Sequence, residues 1–260
     1  MKTPSDTLIL IPTFNNAGTL ENVVRRAMAT GLPVLIVDDG STDDTARILS
    51  DLQMQERNTL SEAFARTGSR SDAEERVFLS CIHHSKNQGK GRALKTGLQE
   101  ARRRGYRFVV TLDADGQHFP EDVPALLARK GERTLVVGSR SQRGSDGGSS
   151  FANNFSNFWF RLYTGTALPD TQTGFRLYPL ENLPGLWLLS ARYEAELTLL
   201  VFSAWRGLDL VPVPVRVAYP EDRVTHFHPV RDFLRITLLN IILLFAALLY
   251  GWPRMLLRRI

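Results

Sequence analysis

Short, almost wholly apolar runs alternate along this chain with stretches of helical character, and that rhythm leaves few folds open. Leu8–Ile11, Val34–Val37, Val77–Ile82, Phe108–Leu112 and Leu135–Val137 are apolar with little polar alternation, the mark of strands buried on both faces of a parallel sheet. Between them, Thr19–Thr30, Thr42–Gln55, Lys90–Arg104 and Pro120–Lys130 read as helices. The alternation predicts βαβ units, with ligands gathered at the carboxyl ends of the strands. The crossover from Gln53 to Arg76 is long and polar and is expected to end in a surface excursion around Thr67–Asp72. RGSDGGSS, Arg143–Ser150, has the composition of a flexible loop and divides a strand-rich first half from a less regular second half. A helix over Arg192–Trp205 and a strand over Leu208–Val217 are expected to complete the same domain. No internal repeat is present.

Charge is distributed unevenly. The formal net charge is +5, a value that by itself admits nucleic acid, an anionic membrane or a phosphate-rich ligand. From Arg216 onward seven arginines face Glu221, Asp222 and Asp232, so this tail carries +4 and the first 215 residues only +1. Within the tail, Ile236–Tyr250 is almost continuously apolar, yet its 15 residues fall short of the roughly 20 needed to span a bilayer. Widening it to Phe233–Trp252 takes in Arg235 and Asn240. With Trp252 and Arg254, Arg258 and Arg259 beside it, the segment reads as a membrane-interface anchor that inserts partially, with a core helix of the globular domain as the alternative. A boundary is therefore placed between residues 1–228, one catalytic domain, and 229–260, a membrane-associating segment. The arginines lie among apolar residues rather than solvated aromatic ones, which disfavours nucleic acid. Cys81 is the sole cysteine, which excludes a disulfide framework, and the N-terminus lacks the pattern of a secretory signal.

Four polar motifs fall at or just after the expected strands. They are Pro12-Thr-Phe14-Asn-Asn16, Asp38-Asp39-Gly-Ser-Thr-Asp43, Asn87-Gln-Gly-Lys90-Gly91 and Asp113-Ala114-Asp115-Gly-Gln117-His118. Thr42 to Asp44 suits a helix start. Asp38 and Asp39, closing an apolar strand, need compensation for two like charges, and donors of a nucleotide base and ribose would provide it. The glycines at 89 and 91 complete neither a G-x-G-x-x-G fingerprint nor a Walker A loop, although Lys90 and Arg92 at a helix start favour phosphate. Asp113 and Asp115, at alternate positions near a strand end, can face one ligand. A hard cation, Mg²⁺ or Mn²⁺, is the natural occupant, and Gln117 can add a neutral oxygen. The five histidines form no H-x-x-x-H pair, and no G-x-S-x-G elbow is present.

In this order, and with Gly138-Ser-Arg140 added, the motifs resemble the inverting nucleotide-sugar glycosyltransferases of the GT-A fold. Within that family they look most like the polyprenyl-phosphate sugar transferases of the dolichyl-phosphate mannosyltransferase-like branch. The resemblance runs from Leu8 to Val217 and implies an α/β fold with a mixed, mostly parallel sheet flanked by helices. It implies that Pro12, Phe14 and Asn16 touch the nucleotide, with an asparagine where the branch carries an acid, so UDP- and GDP-sugars both remain open. From the second strand it implies contacts by Val37 and Asp39, beside Asp38. Asp113, with Ala114 next to it, would face the sugar nucleotide, Asp115 and Gln117 would ligate the metal, and Arg140 would meet the diphosphate or sugar.

Further along, Asp170-Thr-Gln-Thr-Gly-Phe-Arg176 resembles the branch's acceptor segment, and Tyr193–Leu197 its aromatic–acidic helix start. Arg223-Val-Thr-His226-Phe resembles a phosphate-binding loop in which histidine replaces the branch's lysine. The implied activity is sugar transfer from a nucleotide diphosphate to a lipid or polyprenyl-phosphate acceptor at the cytoplasmic face of a membrane. Asp115 would act through the metal, with Lys90, Arg92 and Arg140 as helpers. An anionic acceptor needs no general base; a hydroxyl acceptor needs one, and Asp170, Glu194 and Glu196 are the candidates. Asp170, Glu194 and Glu196 have an ordinary alternative as ion-pair partners of Arg176 or Arg192. A nucleotidyltransferase on a related α/β fold is the competing reading, against which LILIPTFNN lacks the expected Gly-rich basic loop.

Overall fold

The structure is a computed structural model and describes residues 5–67, 79–140, 147–186, 194–218 and 239–257. Seven strands form one sheet: β1 (Thr7–Thr13), β2 (Val34–Asp38), β3 (Leu79–His83), β4 (Phe108–Thr111), β5 (Thr134–Arg140), β6 (Arg176–Pro179) and β7 (Asp209–Val215). Their order is β3-β2-β1-β4-β6-β5-β7. Every neighbouring pair is parallel except those made by β6, which runs against both β4 and β5. The five apolar runs read as parallel strands all join this sheet as parallel strands. The reversed strand β6 has no counterpart in the sequence reading. Its four residues, RLYP, are too short to show a period.

Helices cover both faces: α1 (Ala17–Met28), α2 (Thr45–Thr67), α3 (Lys90–Arg103), α4 (Val123–Leu127), α5 (Gly147–Thr164), α6 (Glu194–Trp205) and α7 (Leu239–Leu257, with a π turn over Ala247–Gly251). The side chains of β1 divide between the layers. Ile9 and Ile11 pack with Leu20, Val23 and Val24 of α1 and Leu49 of α2, while Leu8 and Leu10 pack with Leu94 and Leu98 of α3. All seven β1 residues are buried, as expected for a strand sandwiched between helical layers. At the edge, β7 carries Pro212 and Pro214, residues that lack the N–H a central strand would need.

Three boundaries differ from the sequence reading. Helix α2 extends to Thr67 rather than ending at Gln55, and the excursion expected beyond it falls largely outside the described residues. The segment Pro120–Lys130 is a 3₁₀ turn, Pro120–Asp122, followed by the short α4. Helix α5 begins at Gly147, inside the stretch read as a loop, because its Gly-Gly-Ser-Ser start has the composition of a turn while its later residues have a buried face, Phe160, Tyr163 and Thr164. The boundary expected at 228/229 and the residues Arg192, Tyr193, Arg223 and His226 lie outside the described residues. Helix α7 packs on the domain itself, adding Leu243 and Ala247 to the core shared by α3, α5 and α6.

Candidate active site

The strand order turns at β1, with β2 on one side and β4 on the other, so the loops after these strands diverge and leave a crevice at their carboxyl ends. Pro12 and Val37 stand opposite each other in the β1–β2 register, both buried. Phe14 is half-buried just beyond. The Asn16 side chain folds back, donating to the Phe14 carbonyl at 3.0 Å and to Thr13 Oγ1 at 3.3 Å, while its carbonyl starts α1. Asn15, at φ 53°, holds the facing loop through its own N–H on Ser41 Oγ and its side-chain oxygen on the Thr42 amide.

Asp38 and Asp39 are almost completely buried. Asp38 accepts from the Ser41 amide at 3.0 Å and hydroxyl at 2.6 Å, and its other oxygen lies 3.1 Å from His83 Nδ1. Asp39 lies 2.6 Å from His84 Nδ1 and accepts from the Gln88 and Gly89 amides. The compensation expected from a nucleotide is thus supplied by the protein. It also means that the amides leading into α3, expected to favour phosphate, already serve Asp39. In the sequence His83 and His84 stand out only as zinc ligands, and poor ones. The signal that finds their role is register: β2 and β3 are parallel, and Asp38 stands opposite His83.

Lys90, the first residue of α3, occupies the centre of the crevice. Its ammonium lies 2.7 Å from Asp113 Oδ1 and 3.0 Å from Glu196 Oε1. Burial opposes a charged lysine, but these two carboxylates more than offset it and hold the ammonium well above its ordinary range. Burial likewise pushes the Asp113 carboxyl up, yet the charges of Lys90, His118 and Arg176 bring it below the ordinary aspartate value. The cation that neutralises Asp113 is therefore Lys90. A Cβ at Gly174 would come within 2.6 Å of Asp113 Oδ2, so the glycine lets the segment before β6 close on the carboxylate.

The second aspartate behaves differently. β4 ends at Thr111 and residues 114–115 form a turn, so Asp113 and Asp115 are displayed by a loop rather than by a strand end. Asp115 Oδ1 accepts from the Gln117 amide at 3.0 Å, and among the described residues Asp115 makes no ion pair. Burial, and then the charge of Asp113, raise its carboxyl above the ordinary value. Asp115 and the half-buried Gln117 are the side chains that can hold a divalent ion here. Among the described residues no three His, Cys, Asp or Glu side chains form a ready metal cluster, so a cation at Asp115 must share its shell with ligand oxygens or water. The turn is braced by Thr19 Oγ1 donating to the Ala114 carbonyl at 2.6 Å and by the Ala218 amide donating to the Gln117 carbonyl.

Opposite stands the segment that enters β6. Asp170, 1% exposed, takes Arg140 Nε at 2.5 Å and Nη2 at 3.1 Å, and also accepts from the Gln172 amide. The alternative that the sequence leaves for Asp170 is an ion pair with Arg176 or with Arg192, the latter outside the described residues. Instead, Arg176 is fully buried and donates to the carbonyls of Glu196 and Thr171 at 2.7 and 2.9 Å, tying α6 to the segment carrying Asp170. Glu194 is half-buried in the first turn of α6. The structure therefore brings together Lys90, Asp113, Asp115, Gln117 and Glu196, with the Arg140–Asp170 pair on the β5 side.

The sequence profile of glycosyl transferase family 2 matches residues 8–178. The UDP-N-acetylglucosamine–dolichyl-phosphate N-acetylglucosaminyltransferase of Methanococcus voltae is 28% identical over 223 residues, 82% of this chain and 86% of the relative. The polyprenol monophosphomannose synthase of Mycolicibacterium smegmatis is 29% identical over 221 residues, 80% of this chain and 76% of the relative. Among solved structures, glucosyl-3-phosphoglycerate synthase from Mycobacterium tuberculosis, in complex with Mn²⁺, UDP and glucosyl-3-phosphoglycerate, superposes with a TM-score of 0.59 at 20% identity, covering 94% of this chain and 80% of that one. The mixed sheet is thus a GT-A fold, and the nucleotidyltransferase reading gives way. From its profile match, its fold and its relatives alike, the chain belongs to glycosyl transferase family 2 and is a glycosyltransferase.

Proposed function

We propose that the protein moves a sugar from a UDP- or GDP-sugar onto a polyprenyl phosphate, inverting the anomeric centre, at the cytoplasmic face of a membrane. The observation that carries this reading is the engagement of two of the three candidate bases. Asp170 lies under the Arg140 fork and Glu196 lies on the Lys90 ammonium, both buried. Their oxygens are engaged by these cations rather than turned to an acceptor hydroxyl, whereas a phosphate acceptor arrives as an anion and needs no general base. The two relatives named above, one a dolichyl-phosphate and one a polyprenol monophosphate sugar synthase by name, support the same acceptor class.

In this reading a phosphate oxygen of the acceptor attacks the anomeric carbon from the face opposite the diphosphate. The new C–O bond forms as the bond to the nucleoside diphosphate breaks. Phe14 and Asn16 line the nucleoside end with the backbone of Pro12 and Val37, and Asp38 and Asp39 shape it from beneath. Asp113, oriented by Lys90 and Gly174, faces the sugar with Ala114 beside it. Arg140 lies on the diphosphate side, and Arg223 is assigned to phosphate on its sequence motif alone. Asp115 and Gln117 would hold Mg²⁺ or Mn²⁺, which when bound supplies positive charge against the leaving diphosphate.

The test incubates the purified full chain with labelled UDP- and GDP-sugars, with polyprenyl phosphate or the corresponding free polyprenol, and with Mg²⁺, Mn²⁺ or EDTA. Label is expected in the organic phase with the phosphate acceptor alone, and to be lost in EDTA. Transfer to the free alcohol at an equal rate would overturn the acceptor assignment, and full activity in EDTA would overturn the metal.

A further inference from the structure

The helix α7, Leu239–Leu257, is long and apolar enough to cross a membrane, with a mean hydropathy of 1.5 over its most apolar window. Its packing says otherwise. Asn240, Leu243, Ala247 and Gly251 succeed one another at spacings of three and four, so they share one face. That face is docked. The Tyr163 hydroxyl donates to the Asn240 side chain at 2.9 Å, Leu243 and Ala247 are buried in the core, and a side chain at Gly251 would overlap the Trp205 ring. Crossing the bilayer would strip this face from α5 and α6.

The opposite face is uncovered. Ile241, Ile242, Phe245, Leu248, Leu249 and Leu256 are all exposed, Leu249 at 81%. The neighbouring helix α5 extends this surface. Phe155, Phe158 and Leu162 are exposed, while Trp159 between them stacks on the same Tyr163 that holds Asn240. Exposed apolar side chains on two packed helices form a patch of the kind that marks an interaction surface. Its charges choose the partner. Neither helix carries an acidic residue, and their charged side chains are Arg161 and Arg254, the latter poised over the Tyr250 ring. A wide apolar face with arginines and no acid complements a bilayer surface with anionic headgroups.

We infer that α5 and α7 together lie in the plane of one leaflet, holding the enzyme on an anionic bilayer by a surface rather than by a spanning helix. This deepens the lipid-acceptor reading and rests on it for its purpose. On its inner side α5 meets the acceptor segment, with Asn157 donating to the Pro169 carbonyl and accepting from the Thr171 amide, the residues on either side of Asp170. The segment carrying Asp170 therefore stands about one helix diameter, ~10 Å, from the leaflet, on the side from which a lipid acceptor would approach.

The full chain is tested by flotation on phosphatidylcholine vesicles with and without phosphatidylglycerol. Wild type is expected to float with the anionic vesicles, and the variant F158S/F245S/L249S to lose about tenfold or more of that binding while keeping its melting temperature and its transfer to detergent-dispersed acceptor. Spin labels at Ile241, Phe245, Leu249 and Leu256 then report depth. An in-plane helix places all four at similar shallow depth, ~5–10 Å; a spanning helix spreads them over about 20 Å at 1.5 Å per residue. The spread, unchanged flotation of the variant, or an exposed face that instead pairs two copies of the chain in vesicle-free sedimentation would each overturn the inference. Normal flotation with no transfer to polyprenyl phosphate would instead fault the acceptor reading.

Discussion

Replacing Lys90 by methionine tests the central feature of the site. The substitution keeps the length of the side chain and removes the ammonium that Asp113 and Glu196 share. Those carboxyl side chains are only 23% and 11% exposed, so neither recovers full hydration. Removing one member of a buried ion pair costs about 3–5 kcal/mol. The lower end applies, because Arg176 and His118 still act on Asp113. About 3 kcal/mol corresponds to a fall in Tm of about 6–12 °C for a chain of this size. The variant K90M/E196Q removes the second carboxylate as well and is expected to regain part of the loss, with a coupling of about 1 kcal/mol or more between the two positions. Thermal unfolding tracked by circular dichroism at pH 7, for wild type, both single variants and the double, completes the cycle. An unchanged Tm in K90M, or strictly additive effects, would refute the ion-paired centre.

Asp115→Asn is expected to abolish transfer yet raise Tm at pH 7, because burial and Asp113 disfavour the native charge. The sign is opposite for its neighbour: the raised Asp115 carboxyl favours the fold more as pH falls through its native value, whereas the lowered Asp113 carboxyl stabilises above the ordinary aspartate value and stops doing so as pH falls through its native one. The stabilisation by D115N should therefore shrink on acidification, and a constant difference in Tm across pH 4–7 would contradict it. Gly174→Ala places a methyl against Asp113 and is expected to lower kcat about tenfold or more with a loss of about 1–3 kcal/mol in stability; wild-type kinetics would show that Asp113 has room to move. The Cys81 thiol is pushed up to about 12 by burial and by the charges of Asp38 and Glu56, so a disulfide reagent at pH 8 should modify it only on unfolding, and rapid labelling of the native chain would refute this.

The parts legible in the sequence are those written locally. Apolar runs such as Leu8–Ile11 announce a buried parallel strand without outside help, and the motifs after them mark the crevice. The parts that escape depend on partners distant in the chain. Nothing local to Lys90 tells that its ammonium also pairs with Glu196, since that pairing exists only once α6 lies over α3. Pairing of Asp170 with Arg176 is an open alternative in the sequence because the two are near in the chain, but β5 delivers Arg140 to Asp170 across the sheet. The start of α5 is hidden by a Gly-Gly-Ser-Ser composition that tertiary packing overrides. His83 and His84 find their partners only once β2 and β3 are known to run in parallel register.

The reversal of β6 has a consequence for how such a site diversifies. Parallel strands present their exits to the crevice, so each contributes only the loop at its own carboxyl end. β6 is entered from that side, and everything threaded ahead of it, from α5 through Thr173, is delivered as one contiguous block facing the loops of β1, β2 and β4. Short ladders, Val109–Tyr178 and Val136–Leu177 among them, anchor the block to a rigid floor. Insertions or exchanges within it leave the pairing of β1, β2 and β3 untouched. Away from the contact of Gly174 with Asp113, a lineage can therefore rework one wall of the crevice without retuning the other.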